Sequence, residues 1–270
     1  MGTPKEEFIR RTVAMLKEAE TSLPADVKAA LENALNAETN ERAREQIRAI
    51  LENVNFAGDK GLPICQDTGI PIFYVHVGRS TNIDFDIKKA LDAAVQKATE
   101  LIPLRKNAVN PLTREAKSTP LLDVIYELVE GDRIVVDLLV KGAGSENVSV
   151  LSMLSPSDDL RKFVLETIVE AGGKPCPPII VGIGVGSTFN GCAWLAKKTL
   201  FQSLSKEHTP IEEALLKDIN SLGIGPMGLG GDTTALKVFV EVADCHTASL
   251  PVAVNIQCWA NRRASFEMKQ

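Results

Sequence analysis

The sequence predicts an α+β protein: a helical N-terminal segment, then a mixed α/β body whose glycine-rich loops surround a candidate site. Three observations predict it. Apolar residues recur at helical spacing up to about residue 56; β-branched runs then alternate with helical stretches; and glycines crowd the ends of those runs.

Phe8, Val13, Met15 and Leu16 keep helical spacing, and the stretch from Asp26 to Leu35 repeats it. A third helix opens at Thr39, with Ile47, Ile50, Leu51 and Val54 as its stripe; the charged remainder reads as a solvated face. Ile70 to Val77 is β-branched and aromatic, hence a strand, and Asp84 to Ile102 is again helical. Pro103 to Pro120 reads as one long irregular loop carrying Arg105, Lys106, Arg114 and Lys117. Two apolar runs, 121–129 and 133–140, flank Glu130-Gly131-Asp132 and predict a β-hairpin. The second feeds the polar loop Lys141-Gly142-Ala143-Gly144-Ser145-Glu146-Asn147.

After the apolar residues 151–154, a helix starts near Asp158 and Asp159 and stops at Gly172-Gly173. The strand Ile179 to Gly186 runs through Ser187-Thr188 into a helix from about Asn190 to Leu200. That order suits an anion, but Ser187 stands where a dinucleotide fingerprint needs its third glycine. A helix over 209–221 precedes Gly223 to Gly231, five glycines in nine residues, which suits a close backbone approach to a ligand at least as well as a merely convoluted turn. Strands follow over 235–242 and 252–257. No repeat or linker divides the chain, so the expectation is one domain over 1–270 with 1–56 as a helical lobe.

The totals narrow the function. A content of 44% hydrophobic and 24% charged residues is that of a soluble globular protein, and the net charge of −5 disfavours binding by phosphate neutralisation. With aromatics at 5%, no platform for stacking bases is evident. No apolar run approaches the roughly 20 residues of a membrane span, and Met1 to Glu7 lacks the apolar core of an export signal. The expectation is a cytoplasmic protein without nucleic-acid or membrane partners.

Five cysteines, an odd and scattered set, then point to ligation, reactivity or burial rather than disulfides. Cys65 sits in Gly61-Leu62-Pro63-Ile64-Cys65-Gln66-Asp67-Thr68-Gly69, where thiol, amide, carboxylate and hydroxyl share one turn. Cys176 lies between Pro175 and Pro177, and Cys258 ends an apolar strand before Trp259. Cys192, beside Ala193, Leu195 and Ala196, reads as core; Cys245, between Asp244 and His246, stays open. No Cys-x-x-Cys occurs, so spacing alone fits three thiolates on a cluster with one open iron and three unrelated thiols equally well. Among the histidines, His76 reads as a structural strand residue and His208 as a surface one.

The Cys65 motif, the 141–147 loop, Cys176-Pro177-Pro178, Gly182 to Thr188, Gly223 to Gly231 and Gln257-Cys258-Trp259-Ala260-Asn261-Arg262-Arg263 together resemble the iron–sulfur class I fumarate hydratase and L-tartrate dehydratase family, over essentially the whole chain and in order. The resemblance is to the α subunit, equivalent to the N-terminal domain of single-chain enzymes. It implies a 4Fe–4S cluster held by Cys65, Cys176 and Cys258, whose sulfurs would meet at one point. The fourth iron would bind a small dicarboxylate, fumarate before tartrate. It further implies Gln66, Arg114, Gly142 and Gly144 as substrate-binding residues and Asp67 and His246 as catalytic ones. A β subunit would carry the rest of the active site, in a hetero-oligomer of two α and two β chains. Ala143 and Ser187 stand where the family commonly has glycine. A zinc or thiol protein, and a non-catalytic scaffold, are the readings from other classes.

Overall fold

The computed structural model describes residues 3–269. They form two compact units: one runs up to Pro24, resumes over Val54–Lys141 and returns from Arg262 onward, and the other comprises Ala25–Asn53 and Gly142–Asn261. The helices and mixed sheets fit the expected α+β class, with helices α1 (Pro4–Thr21), α2 (Ala25–Ala37) and α3 (Glu41–Lys60) leading the chain. Thr3 caps α1 in a reciprocal box with Glu6, which satisfies N–H groups the first turn cannot. No helix among the described residues is long and apolar enough to cross a membrane.

The first unit is a four-stranded sheet in the order β2-β1-β3-β8, from β1 (Ile70–Gly78), β2 (Asp123–Val129), β3 (Arg133–Lys141) and β8 (Arg262–Lys269). One face carries Phe73, Val75, Val136 and Leu138 against Phe8 and Leu16 of α1 and Leu91 and Val95 of α4 (Ile87–Leu101). The expected hairpin is absent, because β1 lies between β2 and β3, parallel to the first and antiparallel to the second. The Glu130-Gly131-Asp132 link crosses the end of β1 at Gly78. There an added Cβ would stand 2.6 Å from the Gly131 carbonyl oxygen, so only glycine lets the link pass. The strand β8 has no counterpart in the sequence reading. His76 stays in β1, its Nε2 3.0 Å from Asp137 Oδ2.

The expected irregular loop at 103–120 is in fact built. Val109 and Ala116 form a bridge, the Lys117 N–H donates to the Ala108 carbonyl, and Asn110 Oδ1 accepts from the N–H groups of Leu112 and Thr113. Nor are the charged residues before residue 56 all on a solvated face: Glu20 and Glu38 are buried.

The second unit has a sheet in the order β4-β7-β5-β6, from β4 (Val150–Leu154), β5 (Ile179–Gly186), β6 (Ala235–Ala243) and β7 (Leu250–Gln257). Its core joins Val181, Ile183, Val238 and Val254 to Val164 and Ile168 of α6 (Leu160–Ala171) and Leu215 and Ile219 of α8 (Pro210–Ser221). Helix α7 (Phe189–Thr199) presses directly on β5: a Cβ at Gly184 would stand 2.3 Å from the Cys192 carbonyl oxygen, and one at Gly182 2.4 Å from that of Ala196. These glycines therefore answer to packing. Cys192 is core, as expected; its Sγ donates to the Gly184 carbonyl and burial raises its thiol pKa. His208 is not simply a surface residue: it is half-buried, Nε2 lacks a partner, and burial lowers its pKa.

Candidate functional site

In the first unit, the turn from Ile64 to Gly69 is tied down at successive residues. The Ile64 N–H donates to the Glu20 carbonyl oxygen (2.8 Å), and the Gly69 N–H to Asp67 Oδ1 (3.0 Å). Thr68 Oγ1 accepts from the Arg105 N–H (2.9 Å), and Asn107 Nδ2 donates to the Gly69 carbonyl (3.0 Å). Gly69 has φ +65°, and a Cβ there would meet the Lys141 carbonyl at 2.8 Å. Thr68 is buried while Cys65 and Asp67 are half-buried and Gln66 is exposed. The side chains of Cys65, Gln66 and Asp67 are thus presented on a hydrogen-bonded base.

Of the four cations in the 103–120 segment, Arg105 and Lys106 line a cavity with Thr68 and Gly69. Arg114 is exposed in the Asn110 turn at φ +62°, its N–H on the Asn110 carbonyl. Beneath the turn, Glu20 Oε2 accepts from Arg262 Nη1 at 2.7 Å with both side chains buried. Burial pushes the Glu20 carboxyl up to about 7, against the pull of the Arg262 guanidinium, and the charge on Asp67 adds to the rise. Sequence reasoning missed Glu20, because its place in an amphipathic helix looks like an ordinary charged position.

In the second unit the structure brings Cys176 and Cys258 into one neighbourhood. The Trp259 N–H points at the Cys176 carbonyl oxygen (3.4 Å), and the Met227 N–H donates to the Pro177 carbonyl (2.8 Å). Cys176 adopts φ +53°, and both thiols are half-buried and free of disulfides. The Gly223–Gly231 segment is the bed of this turn. Gly228 lies against Gly173, and Gly225 folds on Gly230, where a Cβ would stand 2.1 Å from the carbonyl carbon. Its far end is anchored by Glu38, whose carboxylate accepts from the N–H groups of Asp232 and Thr233. The segment is a convoluted turn packed against the residues that flank Cys176.

Gly142 opens the short helix α5 (Ala143–Glu146), with the Glu146 N–H returning to the Gly142 carbonyl; Gly144 lies where a Cβ would meet the Lys174 carbonyl at 3.0 Å. Ser187 takes φ +62°, a conformation that favours glycine. His246 is exposed between β6 and β7, and its Nδ1 accepts from the Ala248 N–H (3.1 Å), leaving Nε2 as the protonated nitrogen. Cys65 belongs to the first unit. Among the described residues, no group of three or more His, Cys, Asp or Glu side chains is gathered as a metal ion requires.

The fumarate hydratase (Fumerase) family model matches residues 9–267. The chain is 47% identical to the putative L(+)-tartrate dehydratase subunit alpha of Methanocaldococcus jannaschii, covering 95% of this chain and 96% of that one. It is 33% identical to the putative fumarate hydratase class I of Geobacillus stearothermophilus over 96% of this chain and 54% of that protein. The L(+)-tartrate dehydratase subunit alpha of Escherichia coli K12 is 30% identical, over 96% and 89% of the two chains. With its Cys65, Cys176 and Cys258 segments all inside that match, this chain belongs to the fumarate hydratase family.

Proposed function

We propose that this chain is the cluster-bearing α subunit of an iron–sulfur hydro-lyase that reversibly hydrates fumarate to malate. The observation that carries the reading is the backbone contact of Trp259 with Cys176, which sets the Cys258 strand end beside the Cys176 turn in the second unit of a chain matched by the family model from residue 9 to 267. Together with Cys65 they make a set of soft, half-buried, disulfide-free donors, which suits an iron–sulfur group and not a hard cation. These three residues would hold a 4Fe–4S cluster, which when bound supplies a Lewis acid for the hydroxyl that leaves or arrives.

The chain's own groups do the rest. Arg114 offers two parallel N–H donors to a substrate carboxylate, and Gln66 a further donor. Backbone N–H groups of the Gly142–Gly144 turn hold another oxygen. Asp67, whose Oδ1 accepts the Gly69 N–H, would handle a proton. His246 donates from Nε2. The remaining groups come from a β subunit, in an assembly of two α and two β chains working in the reducing cytoplasm. L-Tartrate is the alternative substrate, favoured by the higher identity to the tartrate dehydratase relative, 47% against 33% for the fumarate hydratase one.

Purification without oxygen, with iron and acid-labile sulfide analysis, tests the reading. The wild-type chain is expected to hold both, and Cys65→Ser, Cys176→Ser and Cys258→Ser to lose them. Fumarate loss, followed by ultraviolet absorbance, is expected only after the partner chain is added, and to decay in air. An iron-free, colourless wild-type preparation from anaerobic reconstitution would sink the proposal.

A further inference from the structure

Side chains alternate along a strand, so Ala253 and Asn255 share one face of β7. Ala253 clusters with Cys192 and Ala196 of α7, and Leu151 of β4 packs against them, so Asn255 too lies on the face toward α7. Asn255 is only 9% exposed, and its Oδ1 is buried without a hydrogen-bond partner among the described residues. A buried acceptor left unmet costs stability, and few folded proteins keep one without a reason. Here the amide borders a cavity of about 210 Å³ in the second unit, between α7, β7, the edge strand β4 and the turn after α5. Its other walls are Leu151, Ala193 and the ion pair of Lys197 with Glu146, at 2.9 Å. Lys197 is half-buried and Val150, at the margin, is exposed, so the cavity is open to solvent. None of the residues assigned above to the cluster or the substrate lines it.

Opposite charges set side by side select a ligand that is itself dipolar. A simple anion would meet Lys197 but bring its charge against Glu146 and leave the Asn255 acceptor unmet. A simple cation would satisfy Asn255 and Glu146 but face the Lys197 ammonium. We propose that this cavity binds a small α-amino acid with a short aliphatic side chain. Its ammonium donates to Asn255 Oδ1 and to the Glu146 carboxylate, and its carboxylate accepts from Lys197. Lys197 has the capacity, because an ammonium carries three donors and Glu146 Oε1 takes one. The aliphatic group lies against Leu151, Ala193 and Ala253, where it leaves water. One water occupies roughly 30 Å³ of liquid, so the space suits a molecule of several heavy atoms and not a long chain.

Calorimetric titration of the full-length chain with L-valine, isovalerate and isobutylamine tests the proposal, since the second lacks only the ammonium of valine and the third only its carboxylate. Valine is expected to bind about tenfold more tightly than either, or better, the worth of a hydrogen bond to a charged group. Asn255→Leu removes the acceptor at similar size and is expected to narrow the gap between valine and isovalerate severalfold. Ala193→Leu, at a half-buried position, fills the cavity and is expected to weaken all three ligands. Equal affinities for valine and isovalerate, indifference to Ala193→Leu, or no heat from valine up to about 10 mM would overturn it, whatever the hydro-lyase assay gives. If Asn255→Leu does not fold, the ligand series and Ala193→Leu still decide.

Discussion

The Cys65 turn and the Cys176 turn each offer a half-buried thiol on a sharply bent backbone, yet they are held by different means. Around Cys65 most restraints come from side chains, beside the Ile64–Glu20 backbone bond: Asp67, Thr68 and Asn107 each bond a backbone group, and the Glu20–Arg262 pair lies below. Around Cys176 they are backbone on backbone, through the N–H groups of Met227 and Trp259 and the contact of Gly173 with Gly228. The first turn therefore rests on side chains that can be replaced one at a time, while at Gly225 the bed of the second leaves no room for a methyl group. Substitutions should separate the two.

The largest effect is expected at Gly225, where φ is +67° and a Cβ would stand 2.1 Å from the Gly230 carbonyl carbon. Gly225→Ala combines a left-handed alanine with overpacking against backbone, roughly 2–5 kcal/mol in all. Both tryptophans, Trp194 and Trp259, lie in the second unit, and both tyrosines, Tyr74 and Tyr126, in the first. Urea unfolding followed by tryptophan fluorescence should show the loss directly. A midpoint within error of wild type would mean that the glycine bed is not what holds the Cys176 turn.

Next comes the acid dependence of the first unit. Glu20 titrates near 4.5 in the unfolded chain and about 7 in the fold. Between those values the folded chain keeps a proton that the unfolded chain releases. The contribution is therefore complete below pH 4.5 and is lost as pH rises to 7, by up to about 3 kcal/mol. Unfolding monitored by circular dichroism at pH 5 and pH 7 reads the difference, and Glu20→Gln should flatten it. A first unit that instead gains stability across this window through Glu20 would place the carboxylate firmly in its charged, Arg262-paired form.

The same contrast explains which parts of the molecule were legible in its sequence. Elements with their own periodicity were readable: helices α1 to α4, strand β1 and the β5–α7 passage all lie where apolar spacing puts them. What failed depended on distant partners. Glu130-Gly131-Asp132 between two apolar runs carries every local mark of a hairpin, and the glycine that lets the link cross β1 is Gly78, far upstream. Strand β8 did leave a signal, since Ala264, Phe266 and Met268 alternate with polar residues, but Arg262 and Arg263 drew attention to the motif before it. The thiols of Cys176 and Cys258 were conspicuous among prolines and beside a strand end, whereas Glu20 was hidden, because a buried acid and a solvated one look alike on an amphipathic helix. Glycine density announced the 223–231 segment, but only coordinates show the packing at Gly225, Gly228 and Gly231.

The smallest effect sharpens the comparison most, because it is local. Thr68 Oγ1 accepts the Arg105 N–H, and this bond joins the Cys65 turn to the 103–120 segment. Thr68→Val keeps the shape and removes the acceptor, leaving a backbone donor to find water at a cost of about 1 kcal/mol. If side chains hold the first turn, amide exchange at Arg105 should accelerate severalfold while the tryptophan-monitored unfolding of the second unit stays fixed. If exchange at Arg105 does not change, the segment is held by its own Val109–Ala116 bridge and the Asn110 turn, and the two thiol turns are more alike than their hydrogen bonds suggest.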